Sequence, residues 1–180
     1  MSNISWRNVV VIATLIAAIV SCKSYKNISY ETIYKGREKT LKGVINRQVI
    51  ESDTSFPCFK TNMAYGTIDS NTINTFKTKA DKFNIIIFGG TWCEDTQNLL
   101  PRFYKLIEAS GYPEKKILLL GVDRKKYTID SLNVKYKITN VPTFIIMHKG
   151  KEFGRVVEYG TKGDINLELA DIVNKIPIKN

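Results

Sequence analysis

From residue 71 onward the apolar positions follow two alternating rhythms. Ile73, Phe76, Ala80 and Phe83 recur at helical spacing and predict a short amphipathic helix over 71–82. Ile85 to Phe88 is an unbroken apolar run ending at Gly89-Gly90, the pattern of a strand covered on both faces. Leu99, Leu100, Phe103, Leu106 and Ile107 then share one helical face over about 94–109, and Gly111 and Pro113 stop that helix. Ile117 to Val122 predicts a second buried strand, followed by a short helix over 129–136. Phe144 to Met147 and Glu152 to Tyr159, joined through Gly150, read as a β-hairpin. Ile165, Leu169, Ile172 and Ile176 line a final helix. The order α-β-α-β-α-β-β-α predicts an α/β fold in which a mixed central sheet is flanked by helices.

Upstream of residue 71 the rhythm is weaker. Val44, Ile45, Val49 and Ile50 predict a short strand and a loop, so that 41–71 forms an N-terminal extension packed on a 72–180 domain. Residues 22–40 are polar with isolated aromatics and no clean period, which reads as a tether. The apolar run from Val9 to Val20 is shorter than the ~20 residues that span a bilayer. It fits the hydrophobic region of a signal peptide over 1–21. The ending Ile19-Val20-Ser21-Cys22 resembles the bacterial lipobox. That resemblance implies cleavage before Cys22 and acylation of its thiol and new amino terminus, with two or more chains giving firm attachment. An uncleaved anchor or a plain signal peptide is the alternative. The lipobox reading places the protein in the bacterial envelope, lipid-anchored. The absence of an acidic run after Cys22 favours the periplasmic side.

Composition adds limits. The chain is 43% hydrophobic and 24% charged, which suits a globular domain rather than a disordered one. Its net charge of +10 comes from scattered lysines and arginines, among them Arg124, Lys125 and Lys126. They read as a solvated basic surface or as an attraction to anionic headgroups and acidic partners. No aromatics interleave with these charges, so no nucleic-acid partner is expected. Phosphate-binding loops, dinucleotide fingerprints and hydrolase elbows are missing, and no cofactor is expected. His148, the single histidine, reads as an exposed hairpin residue, and no metal site is expected.

The chemistry converges on Gly89-Gly90-Thr91-Trp92-Cys93-Glu94-Asp95-Thr96, which delivers Trp-Cys to the start of a helix. With Pro101 inside that helix, Val141-Pro142-Thr143 before a later strand, and Gly150 and Gly160 around the hairpin, the segment resembles the thioredoxin family. The resemblance extends over about 72–175. It is also similar to a group of thioredoxin-family proteins from Bacteroidetes-type bacteria, many with one active-site cysteine. It implies a thioredoxin-like fold and a cis-proline loop that sets Val141 beside the sulfur, with Trp92, Tyr159 and Gly160 completing a client-binding surface. Two departures matter. Thr96 stands where the family keeps its second cysteine, and Ile87 stands where it keeps a buried carboxylate.

Cys93 at a helix N-terminus is offered unpaired N–H groups and the positive dipole end, which favour an anion, whereas Glu94 and Asp95 oppose one. The Thr96 hydroxyl is expected to reach toward the sulfur. A monothiol of this kind attacks a disulfide, forms a mixed disulfide and needs an external thiol for release. Cys93 would then exchange disulfides or sense oxidants, its partners being protein thiols or disulfides, an external thiol reductant and, through Cys22, the membrane. Two alternatives stay open. The groove could bind peptides without catalysis, or Cys58 could be the resolving thiol of a dithiol enzyme.

Overall fold

The computed structural model describes residues 27–129 and 131–177. The signal peptide and Cys22 lie outside them. Six strands, β1 (Ser29–Lys35), β2 (Glu38–Ile45), β3 (Asn84–Gly89), β4 (Ile117–Gly121), β5 (Thr143–His148) and β6 (Lys151–Val157), form one sheet in the order β1-β2-β4-β3-β5-β6. β3 and β4 are parallel, and every other neighbouring pair is antiparallel. The helices are α1 (Arg47–Ser52), α2 (Cys58–Ala64), α3 (Ser70–Thr78), α4 (Glu94–Ser110), α5 (Leu132–Lys135) and α6 (Ile165–Asn174).

The unbroken run at 85–88 is explained by two apolar layers. Ile85 and Ile87 face a large cluster that includes Phe76, Leu99, Phe103, Phe144 and Leu169 from α3, α4, β5 and α6. Ile86 and Phe88 face the opposite layer with Leu118, Leu120, Val122 and Ile145, which Leu132, Tyr136 and Ile138 help cover. Strand side chains alternate, so only a run apolar at every position satisfies both faces.

α4 is capped at its C-terminus by Gly111 in the left-handed region, φ 66°. Inside it, Pro101 has no N–H, so the Gln97 carbonyl one turn earlier loses its helical donor. Asn62 of α2 fills the gap, its Nδ2 donating to Gln97 O at 2.9 Å.

The reading of the N-terminal third needs correction. The supposed tether over 22–40 contains β1 and the start of β2, whose Ser29–Lys35 and Glu38–Val44 residues pair in full register. All seven β1 residues are exposed, so no face carries an apolar period for a sequence reading to detect. The strand expected near residue 44 exists as β2. The expected loop after it is instead two short helices, the first capped by Asn46, whose side chain accepts from Val49 N–H. His148 is not a free loop residue: it ends β5, and its Nδ1 lies 2.7 Å from Lys82 O. The later helices and strands match their expected positions within a few residues at each end.

Candidate active site around Cys93

β3 ends at Gly89, and the chain turns through Gly90 and Thr91 to α4. The turn is held by Cys93 N–H donating to Gly90 O at 2.9 Å and Gln97 N–H donating to Cys93 O at 3.0 Å. Cys93 is the N-cap of α4, with extended backbone (φ −92°, ψ 123°), and its side chain caps none of the helix N–H groups. The half-buried sulfur is turned to the neighbouring loop, where the thiol donates to Val141 O at 3.3 Å.

That loop closes a ring around the sulfur. The Val141–Pro142 peptide bond is cis. Pro142 O accepts from Glu158 N–H at 2.7 Å, which ties the loop to the turn after β6. In that turn Gly160 takes φ 67°, where a Cβ would lie 2.4 Å from a Glu168 carboxylate oxygen. Tyr159 is 39% exposed, and its hydroxyl accepts from Asn98 Nδ2 of α4 at 3.0 Å. The circuit thus runs from Cys93 through Val141, Pro142 and Tyr159 back to α4. Trp92 flanks the sulfur on the other side, its indole N–H donating to Val122 O at 2.9 Å.

Thr96 differs from expectation. It is buried, and its hydroxyl accepts from Gly90 N–H at 3.2 Å. The first turn of α4 points it under the glycine turn, so its recorded bond steadies the loop rather than the sulfur. Cys58 opens α2, half-buried, and its Sγ lies 3.7 Å from Gln97 Oε1. Gln97 in turn donates from Nε2 to Thr91 O at 2.7 Å. Cys58, Thr91, Thr96 and Gln97 border a recess of about 20 Å³, room for about one water molecule. Both described cysteines are free thiols.

This arrangement, a Trp-Cys turn after a central strand set against a proline loop, has a match among known families. The thioredoxin family model matches residues 67–171. The chain belongs to the thioredoxin family. Over 73 residues it is 36% identical to the chloroplastic thioredoxin Y of Oryza sativa subsp. japonica, a match covering 41% of this chain and 40% of that one. Over 79 residues it is 29% identical to a thioredoxin of Echinococcus granulosus, covering 44% of this chain and 68% of that one. The chain thus spans well under half the length of the rice relative. An HIV epitope scaffold superposes with a TM-score of 0.50 at 13% identity, over 74% of this chain and 93% of the scaffold, a likeness of fold.

Within this thioredoxin fold some residues escaped the sequence reading. Arg124 and Glu38 form an ion pair beside Trp92 although they are 86 positions apart. Nothing local in the chain announces such a contact. Gln97 and Asn98 were readable in principle, since they lie about one turn beyond Cys93 on its helix. Asp123 accepts from Lys125 and Tyr127 N–H and pairs with Lys42 at 3.3 Å. Among the described residues no group of three or more His, Cys, Asp or Glu side chains is placed to hold a metal ion.

Proposed function

We propose that this thioredoxin-family protein exchanges disulfides through Cys93 as a monothiol, from a lipid anchor at Cys22 facing the periplasm. One observation carries the thiol chemistry: a half-buried cysteine at the N-cap of α4, its sulfur 3.3 Å from the Val141 carbonyl of the cis-proline loop. The anchor rests on the apolar run and the Ser21-Cys22 ending alone.

The Cys93 thiolate attacks one sulfur of a client disulfide R–S–S–R′. A Cys93–S–S–R bond forms, the S–S bond breaks, and R′S⁻ leaves and takes up a proton. An external thiolate R″S⁻ then attacks the mixed disulfide, which yields R–S–S–R″ and returns the Cys93 thiolate. Thr96 supplies no sulfur for internal release, so the mixed disulfide lasts until that thiol arrives. An extended client segment lies along the Val141–Pro142 loop in the manner of an added strand, against Trp92 and Tyr159.

The test is the rate of iodoacetamide alkylation of Cys93 as a function of pH, with trapping of mixed disulfides and mass spectrometry. Alkylation no faster than that of an unfolded cysteine, with no trapped client, overturns the exchange reading and leaves a peptide-binding module. Incorporation of labelled fatty acid that disappears in Cys22→Ala tests the anchor. The contact between Cys58 and Gln97, which follows Cys93 by one turn, favours a second reading in which Cys58 resolves the mixed disulfide. An oxidised form lighter by two hydrogens that is lost in Cys58→Ser would establish it.

A further inference from the structure

The family match begins at residue 67, yet the N-terminal hairpin reaches the Cys93 loop from three residues of β2. The Thr91 hydroxyl donates to Lys39 O at 3.1 Å and accepts from Leu41 N–H at 3.1 Å. Glu38 takes Arg124 in a two-pronged pair, Nε to Oε1 at 3.0 Å and Nη2 to Oε2. The Arg124 guanidinium lies 4.9 Å from the Trp92 ring centroid. The indole also rests on Gly90, where an added Cβ would meet a ring atom at 2.7 Å. Trp92 is thus held by a glycine, a guanidinium and, at its N–H, the Val122 carbonyl.

We propose that Arg124, fixed in place by Glu38 of the hairpin, is a positioning residue for disulfide exchange at Cys93: it clamps Trp92, the residue before Cys93, by stacking a cation on its indole. The inference rests on the exchange reading. A planar guanidinium can stack on an indole while one of its edges donates two hydrogen bonds to a carboxylate, which lysine cannot do. Around the loop, Glu94 and Asp95 of α4 and Glu158 after β6 oppose an anion on sulfur. Asp123 is engaged by Lys42, and Lys125 and Lys126 lie beyond Arg124 in the same turn. The Tyr136 phenol packs in the apolar layer under Trp92 and Cys93. Arg124 is held above its ordinary range by its bond to Glu38.

The experiment uses the full chain in detergent and bis(2-hydroxyethyl) disulfide, a neutral probe that no surface charge attracts. Peptide mass spectrometry isolates the reaction at Cys93 from that at the other cysteines. Arg124→Gln is expected to slow exchange about fivefold at neutral pH and to shift the Trp92 fluorescence as the guanidinium leaves the indole. Arg124→Lys keeps the charge without the fork and recovers only part of the rate. In a Glu38→Gln background the Arg124→Gln effect shrinks, because the guanidinium is no longer held. Rates and Trp92 fluorescence unchanged in Arg124→Gln and Arg124→Lys, in protein with unaltered thermal unfolding, overturn the inference while leaving Cys93 exchange intact. A wild-type Cys93 no more reactive than an unfolded cysteine overturns both.

Discussion

The middle of the sheet and its N-terminal edge are built on opposite terms. In the middle, β3 and β5 are buried along nearly their whole length and packed on both faces. At the edge, β1 is exposed at every residue, and β2 alternates buried with half-buried positions. The middle is held by apolar burial, roughly 25 cal/mol for each Å² removed from water. The edge, beyond the buried Leu41 and Ile45 of β2, is held by register, close backbone approach and hydrogen bonds to the loop that carries Cys93. The difference separates two jobs: the middle specifies the fold, and the edge adjusts the site.

That contrast can be broken most severely at the middle. Phe144 is fully buried on β5, its ring 5.2 Å from that of Phe103. Phe144→Ala is expected to cost about 4 kcal/mol of stability in denaturant unfolding. Any molecules still folded should keep their Cys93 reactivity. Gly121 tests where the edge joins the middle. A Cβ there would sit 2.1 Å from Leu41 O, a clash with backbone that no rotamer relieves. Gly121→Ala should therefore push β2 away, lower stability by about 3 kcal/mol and raise amide exchange in β1 and β2 before β3.

A lesion confined to the edge sharpens the division further. Thr91→Val removes a buried hydroxyl that bridges Lys39 O and Leu41 N–H. A loss of about 2 kcal/mol is expected, together with slower exchange at Cys93, whereas a pure stability effect would leave that rate alone. The smallest effect lies at Asp53, which ties Lys39 of β2 to the end of α1. Burial pushes its carboxyl up, but the Lys39 ammonium and Ser55 N–H outweigh it and hold the group below the usual carboxylate range. Its contribution is therefore present above that range and lost as pH falls through the lowered value. Asp53→Asn should cost about 1 kcal/mol near neutral pH and progressively less in acid, as urea titrations over pH would show.

The same two regions account for what the sequence disclosed. β3, β4, β5 and α4 were legible because burial on one or two faces imposes a period, and Gly111 and Pro113 mark the helix end; β6, exposed over its first half, was legible through its hairpin with β5. Cys93, Val141, Pro142, Tyr159 and Gly160 were legible as a family pattern, and the structure brings them into one ring. β1 was illegible because an edge strand exposed along its length obeys no apolar rule. The Arg124–Glu38 pair was illegible because it joins residues 86 apart. Thr96 was misplaced for a subtler reason: spacing gives a side chain's position along a helix, but not whether its hydroxyl turns outward to sulfur or inward to the Gly90 amide.

Pro101 has a consequence for transplanting this site. Asn62, which answers the carbonyl that the proline leaves open, lies upstream of residue 67, where the family match starts. Grafting α4 onto a bare family scaffold would leave a socket without its plug. A chimera that takes α4 without the segment carrying Asn62 loses this hydrogen bond to the Gln97 carbonyl.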